Sequence, residues 1–82
     1  MAWIVYFLKS DIYKRWYIGV SDNIERRLEE HNKGKSKSTK PYRPWVLKYI
    51  ESFENKKEAY TREWFLKHPK GYLEKKKIVS QF

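Results

Sequence analysis

The chain has 82 residues, a net charge of +9 from 19 Lys and Arg against 10 Asp and Glu, and no cysteine. That length holds a single domain, residues 1–82, which buries only about 60–65% of its unfolded surface, so its core needs large side chains, and 4 Trp, 7 Tyr and 4 Phe supply them. Disulfides and thiolate metal sites are excluded; the absence of a secretory leader or of an apolar run near the roughly 18 residues of a membrane span points to a soluble, cytoplasmic protein without membrane contact, and the charge points to a polyanionic partner, nucleic acid first.

Trp3-Ile4-Val5-Tyr6-Phe7-Leu8 is apolar at both parities and rich in β-branched and aromatic residues, the pattern of a strand covered on both faces. Ser10 to Lys14 is turn-like, and Trp16 to Val20 reads as a second strand closing an antiparallel hairpin. Asp22 with Glu25 three residues on is a capping-box pattern and predicts a helix over Asn23 to Asn32, stopped by Gly34. Lys33 to Pro44 is a loop carrying Lys33, Lys35, Lys37, Lys40 and Arg43 with no acid between them. Trp45 to Phe53 is a third strand. Asn55 and Glu58 repeat the capping pattern for a second helix ending at Lys67. Pro69 opens a third, short helix expected to turn Tyr72, Leu73 and Ile78 inward. The order β-β-α-β-α-α describes an α+β fold, a small, mostly antiparallel three-stranded sheet flanked by helices.

Spacing then brings polar residues together. If the hairpin turns between Asp11 and Ile12, Tyr6 and Tyr17 stand opposite each other. Gly19 then shares their face and leaves a gap beside the phenol for a backbone or ligand. In the first helix Ile24, Leu28 and His31 share one stripe, Arg27 flanks it, and Arg26, Glu29 and Glu30 face water. In the second, Ala59, Glu63 and Leu66 share a stripe. A carboxylate there is costly unless it is paired, protonated or metal-bound. Each residue also has a purely structural use: Tyr6 and Tyr17 as core tyrosines with bonded hydroxyls, Arg27 as a partner of Glu63, His31 as a satisfied histidine, Glu63 as a partner of Arg62 or Lys67.

These residues resemble the GIY-YIG nuclease superfamily, specifically its small stand-alone bacterial members and the N-terminal catalytic domain of the excision-repair incision subunit. Tyr17-Ile18-Gly19 matches the second triplet in full, and Tyr6 matches the tyrosine of the first, eleven residues upstream. Arg27 falls ten residues after Tyr17, where the family has its arginine; His31 stands one turn on, and Glu63 matches the late helical glutamate that binds the metal. The similarity covers residues 2 to 78. Two departures are visible. Ile4-Val5-Tyr6 replaces Gly-Ile-Tyr, and no asparagine follows Asn55, although many active members carry one in the last segment.

The resemblance implies an endonuclease hydrolysing phosphodiester bonds of DNA, in repair or on branched or nicked structures, with one Mg²⁺ or Mn²⁺ at Glu63. Tyr17 would be the general base; deprotonating a free phenol at pH 7 costs about 4 kcal/mol, and neighbouring cations reduce that cost. Arg27 would grip phosphate oxygens, Tyr6 would orient water or phosphate, and His31 would share a proton or bond Tyr17. Lys35, Lys37, Lys40 and Arg43 would hold the backbone without reading bases. Family members target their substrates through appended modules, so a targeting protein is an expected partner. The other reading is a catalytically weak nucleic-acid-binding module on the same fold.

Overall fold

The computed structural model of the protein describes residues 2–82. Its three-stranded sheet has the order β2-β1-β3, with β1 (Trp3–Ser10) central and β2 (Trp16–Ser21) and β3 (Trp45–Phe53) both antiparallel to it. The helices are α1 (Ile24–Asn32), α2 (Lys56–Lys67) and α3 (Tyr72–Val79), and short 3-10 turns span Lys40–Tyr42 and Pro69–Gly71. This is the α+β arrangement, and the element order, expected from the sequence.

The double-faced apolar run of β1 decides the layering. Val5, Phe7, Ile18, Ala59, Leu66 and Ile78 form one core between the sheet and α2 and α3. Tyr6, Leu8 and Trp45 form a second on the opposite face, against Ile24 and Leu28 of α1. Each fully buried large side chain contributes about 1.5–3 kcal/mol of transfer free energy. A register shift lets β3 serve both layers. Leu8 pairs with Leu47 but Phe7 pairs with Tyr49, so Lys48 is the extra residue of a bulge. Trp45 and Leu47 therefore join the α1 layer, and Tyr49 and Phe53 the other.

The hairpin turns one residue later than expected. Ser10 Oγ accepts from the backbone N–H of Ile12 and of Tyr13, and Ser10 N–H donates to Arg15 C=O at 2.9 Å. That hydroxyl-capped turn moves the centre to between Ile12 and Tyr13. Tyr6 is consequently opposite Gly19, and Tyr17 is opposite Leu8. The two tyrosines still share a face, as diagonal rather than direct neighbours.

The cap of α1 is Asn23 rather than Asp22: its side chain accepts from Arg26 N–H. Asn and Asp are near-equal caps. Here β2 runs on through Ser21, whose hydroxyl binds Asn23 N–H at 3.0 Å and holds that residue extended. At the other end Gly34, at φ +80°, closes a Schellman motif: its N–H donates to His31 C=O and Lys35 N–H to Glu30 C=O.

The cap of α2 is Asn55, accepting from Glu58 N–H as expected. Arg62 ties this helix to its neighbours. Its guanidinium donates to both oxygens of Glu51 on β3, at 2.7 and 3.0 Å, and to Glu74 on α3 at 2.6 Å. Glu51 also accepts from Tyr49 Oη at 2.7 Å. Arg62 is therefore not the partner of Glu63. In α3 only Ile78 is buried; Tyr72 and Leu73 face outward, Leu73 with 80% of its surface exposed. The 3-10 turn at Pro69–Gly71 rotates the start of α3, which a helix begun at Pro69 would not allow for.

Candidate active site

Gly19 and Tyr6 define the floor of the site. A Cβ at position 19 would collide with Tyr6 Oη, would stand 2.6 Å from Tyr6 Cζ and 3.0 Å from Tyr17 Cε2. The gap expected beside the phenol is thus filled by Tyr6's own ring. Glycine is required because the ring lies flat on the strand.

Tyr6 is 1% exposed, and its hydroxyl lies 3.1 Å from His31 Nε2. His31, also 1% exposed, places Nδ1 2.8 Å from Thr39 Oγ1. Thr39 Oγ1 in turn donates to Ser36 C=O at 3.4 Å. A hydroxyl has one proton. With Thr39 donating to Ser36, it must accept from His31 Nδ1–H, so Nε2 is the acceptor and Tyr6 O–H the donor. The chain of protons runs Tyr6 to His31 to Thr39 to Ser36. Burial pushes the Tyr6 phenol up to about 12, against the pull of the neighbouring Arg27 guanidinium. Burial, then the Arg27 charge, holds His31 down to about 4. Both groups are neutral at pH 7.

Arg27 is half-buried and donates to Glu30 Oε1 at 3.0 Å. Burial opposes its charge, but Glu30 and the Tyr6 phenol outweigh that, and its pKa lies above the ordinary guanidinium value. Glu30, expected to face water, folds back onto this arginine.

The Tyr17 ring packs, tilted, with its centre 4.9 Å from that of His31 and 6.2 Å from that of Tyr6. Among the described residues nothing hydrogen-bonds its hydroxyl, and no buried side-chain oxygen lacks a partner, so that hydroxyl is open to solvent. The two tyrosines therefore differ: Tyr6 is locked and Tyr17 is free.

Glu63 and Lys67 complete the group. They sit on α2, on the far side of the sheet, and reach round the β2 edge. Lys67 Nζ lies 3.3 Å from Glu63 Oε2 and 5.3 Å from the centre of the Tyr17 ring. The carboxylate on the apolar stripe is thus paired. The sequence raised Lys67 as a partner for Glu63 but not its position over Tyr17, which depends on tertiary packing. Nothing in the sequence sets Thr39 apart from the other hydroxyls of its polar loop.

The basic loop is anchored to this site. Thr39 holds His31, its carbonyl accepts from Trp45 Nε1 at 2.9 Å, and Asn32 brackets Trp45 N–H and C=O. Lys35, Lys37 and Lys40 are exposed. Arg43 is half-buried instead; its Nε donates to Lys40 C=O, and its guanidinium packs beside Gly34. It braces the loop rather than standing free.

Tyrosines, arginine, histidine and glutamate thus come together on the β2 side of the sheet. Residues 2–77 match the family described as the GIY-YIG catalytic domain, and the chain belongs to this nuclease family. Its particular likeness is to UPF0213 proteins. UPF0213 protein CPE1444 of Clostridium perfringens is 42% identical over 64 residues, covering 77% of this chain and 68% of that protein. UPF0213 protein YazA of Bacillus subtilis is 42% identical over 53 residues, covering 63% of this chain and 54% of that protein. The chain thus spans about half to two thirds of the length of these curated relatives. The solution NMR structure of the UPF0213 protein BH0048 from Bacillus halodurans superposes with a TM-score of 0.58 at 32% identity, covering 99% of this chain and 85% of that one. Among the described residues no helix is long and apolar enough to cross a membrane.

Proposed function

We propose that this protein is an Mg²⁺- or Mn²⁺-dependent endonuclease acting on DNA, with branched or nicked DNA and repair as its setting. One observation carries the reading: a tyrosine with a free hydroxyl lies beside a locked tyrosine–histidine pair, an arginine and a carboxylate, all at one edge of a protein of net charge +9.

The donor set suits such an ion. Among the described residues no three His, Cys, Asp or Glu side chains come together, so Glu63 is a single carboxylate. Mg²⁺ commonly takes one or two carboxylates and keeps water and phosphate oxygens elsewhere. The Lys67 ammonium already stands at this carboxylate as a cation would. When bound, the ion supplies Lewis-acid polarisation of the phosphate.

The rest falls to the chain's own residues. Tyr17, having released its own proton to solvent through its open hydroxyl, would take the proton of the attacking water as the phenolate. Tyr6 cannot, since its proton is committed to His31 and burial keeps it neutral. Tyr6 and His31 are positioning residues that fix the floor under Tyr17 and the flank of Arg27. Arg27 and Lys67 offset negative charge developing on the phosphate. Lys35, Lys37 and Lys40 hold the backbone.

The binding-module reading has its own support, because Glu63 is already neutralised by Lys67 and the last asparagine, Asn55, is spent capping α2. Supercoiled plasmid and a branched DNA, incubated with Mg²⁺, Mn²⁺ or chelator, separate the two. Metal-dependent nicking that Glu63→Ala abolishes supports the nuclease. Intact DNA under all conditions, with binding retained in both proteins, supports the module.

A further inference from the structure

The outward side of α2 carries Lys56, Tyr60, Trp64 and Lys67, spaced as one stripe whose last residue, Lys67, pairs with Glu63. Tyr60 is 44% exposed and Trp64 56%. Neither belongs to the core that α2 seals. Trp64 is not loose: its ring stacks on His68 at 4.4 Å with planes 27° apart. Lys56 Nζ lies between two rings, 5.5 Å from Trp3 and 5.8 Å from Tyr60. A fixed indole and a phenol, fringed by Lys56, Lys57 and Lys67, face solvent beside the candidate site.

We propose that Tyr60 and Trp64 form a stacking platform for the bases of an unpaired DNA strand, so that the substrate has single-stranded character next to the phosphodiester held at Glu63. The proposal rests on the nuclease reading above and narrows its substrate class. Stacking needs an open aromatic face, since duplex bases hide theirs in the stack, and cations nearby to hold the backbone. Both are present on this stripe, continuous with the site. An apolar protein surface fits less well, because it would strip water from three lysines without pairing them, whereas phosphates pair them.

Fluorescence polarisation in chelator, where nothing is cleaved, tests this with three labelled ligands: a thymidine 12-mer, an abasic 12-mer with the same phosphates, and a 12-base-pair duplex. The 12-mer of thymidines should bind better than the abasic one. Trp64→Ala should weaken the thymidine strand by about 5- to 100-fold, the range for losing one stacked base, and leave the other two ligands unchanged. Trp64→Phe should restore most of the loss. Lys57→Ala should weaken all three. The proposal is overturned if Trp64→Ala leaves the thymidine strand unaffected or weakens all three ligands alike. It is also overturned if the wild type self-associates through this face and only that association is lost. Plasmid nicking by the same protein preparations, with Mg²⁺ in place of chelator, keeps the two readings apart: nicking with no base preference removes the platform alone, and base preference without nicking removes the nuclease alone.

Discussion

At the scale of single residues, the site depends on two buried neutral groups and one missing side chain. His31 stays neutral in the folded protein with a pKa of about 4, whereas an unfolded histidine titrates near 6.5. Between these values the unfolded chain binds a proton that the folded chain refuses. Stability is therefore complete above about pH 6.5 and is lost as pH falls toward 4. Denaturant melts should show a loss of about 2 kcal/mol from pH 7 to pH 5, and His31→Gln should flatten that slope; an unchanged slope in the variant would remove His31 as its source. Gly19→Ala should destabilise by about 1–3 kcal/mol, the usual range for overpacking, because Tyr6 is pinned by His31 and cannot give way. A melt equal to wild type would mean that the ring moves freely. His31 was legible as an inward residue from its stripe with Ile24 and Leu28, and its partner Thr39 was not. A helical period reports direction, but no local pattern reports which loop hydroxyl folds back across eight residues.

At the scale of elements, α2 does two separate jobs. Its Arg62 side binds Glu51 and Glu74, and its Glu63 side supplies the site. Glu51 titrates below the ordinary carboxylate range: burial opposes its charge, but the bonds from Arg62 and Tyr49 prevail. Arg62→Ala leaves that half-buried carboxylate without its cation and should cost about 1–3 kcal/mol. Below the melting temperature, metal binding should be unaffected. Lys67→Ala should act in the opposite sense, with little change in stability and Mn²⁺ bound about two- to fivefold more tightly, the worth of an exposed ion pair. Mn²⁺ electron paramagnetic resonance reads this directly, and Glu63→Gln should abolish the tight component. Weaker Mn²⁺ binding in Lys67→Ala would show that Lys67 supports the ion rather than competes with it. Strands and helices were legible because Asn55–Glu58, Gly34 and the apolar runs are local signals. Register was not: the Ser10 hydroxyl moved the hairpin centre by one residue and replaced Tyr17 by Gly19 opposite Tyr6. Tyr72 and Leu73 were misplaced for a similar reason, since a single 3-10 turn rotates the whole of α3.

At the scale of the molecule, charge and site must work together. A net charge of +9 with Lys35, Lys37 and Lys40 exposed beside the site predicts binding that falls steeply with salt. Replacing these three lysines by alanine should reduce the slope of log K against log salt by about one for each phosphate no longer neutralised, whatever the sequence of the DNA. An unchanged slope would mean that other cations hold the phosphates. Everything proposed for the site turns on Tyr17, and not Tyr6, handling the proton in a phosphodiester hydrolysis completed at Glu63. Single-turnover cleavage of an end-labelled branched DNA by wild type, Tyr17→Phe and Tyr6→Phe, with binding measured at the same concentrations, tests this assignment. Tyr17→Phe should bind normally but cleave about 10²–10⁴-fold more slowly, the usual worth of a general base, with Tyr6→Phe affected less. Cleavage by Tyr17→Phe at the wild-type rate would refute the assignment.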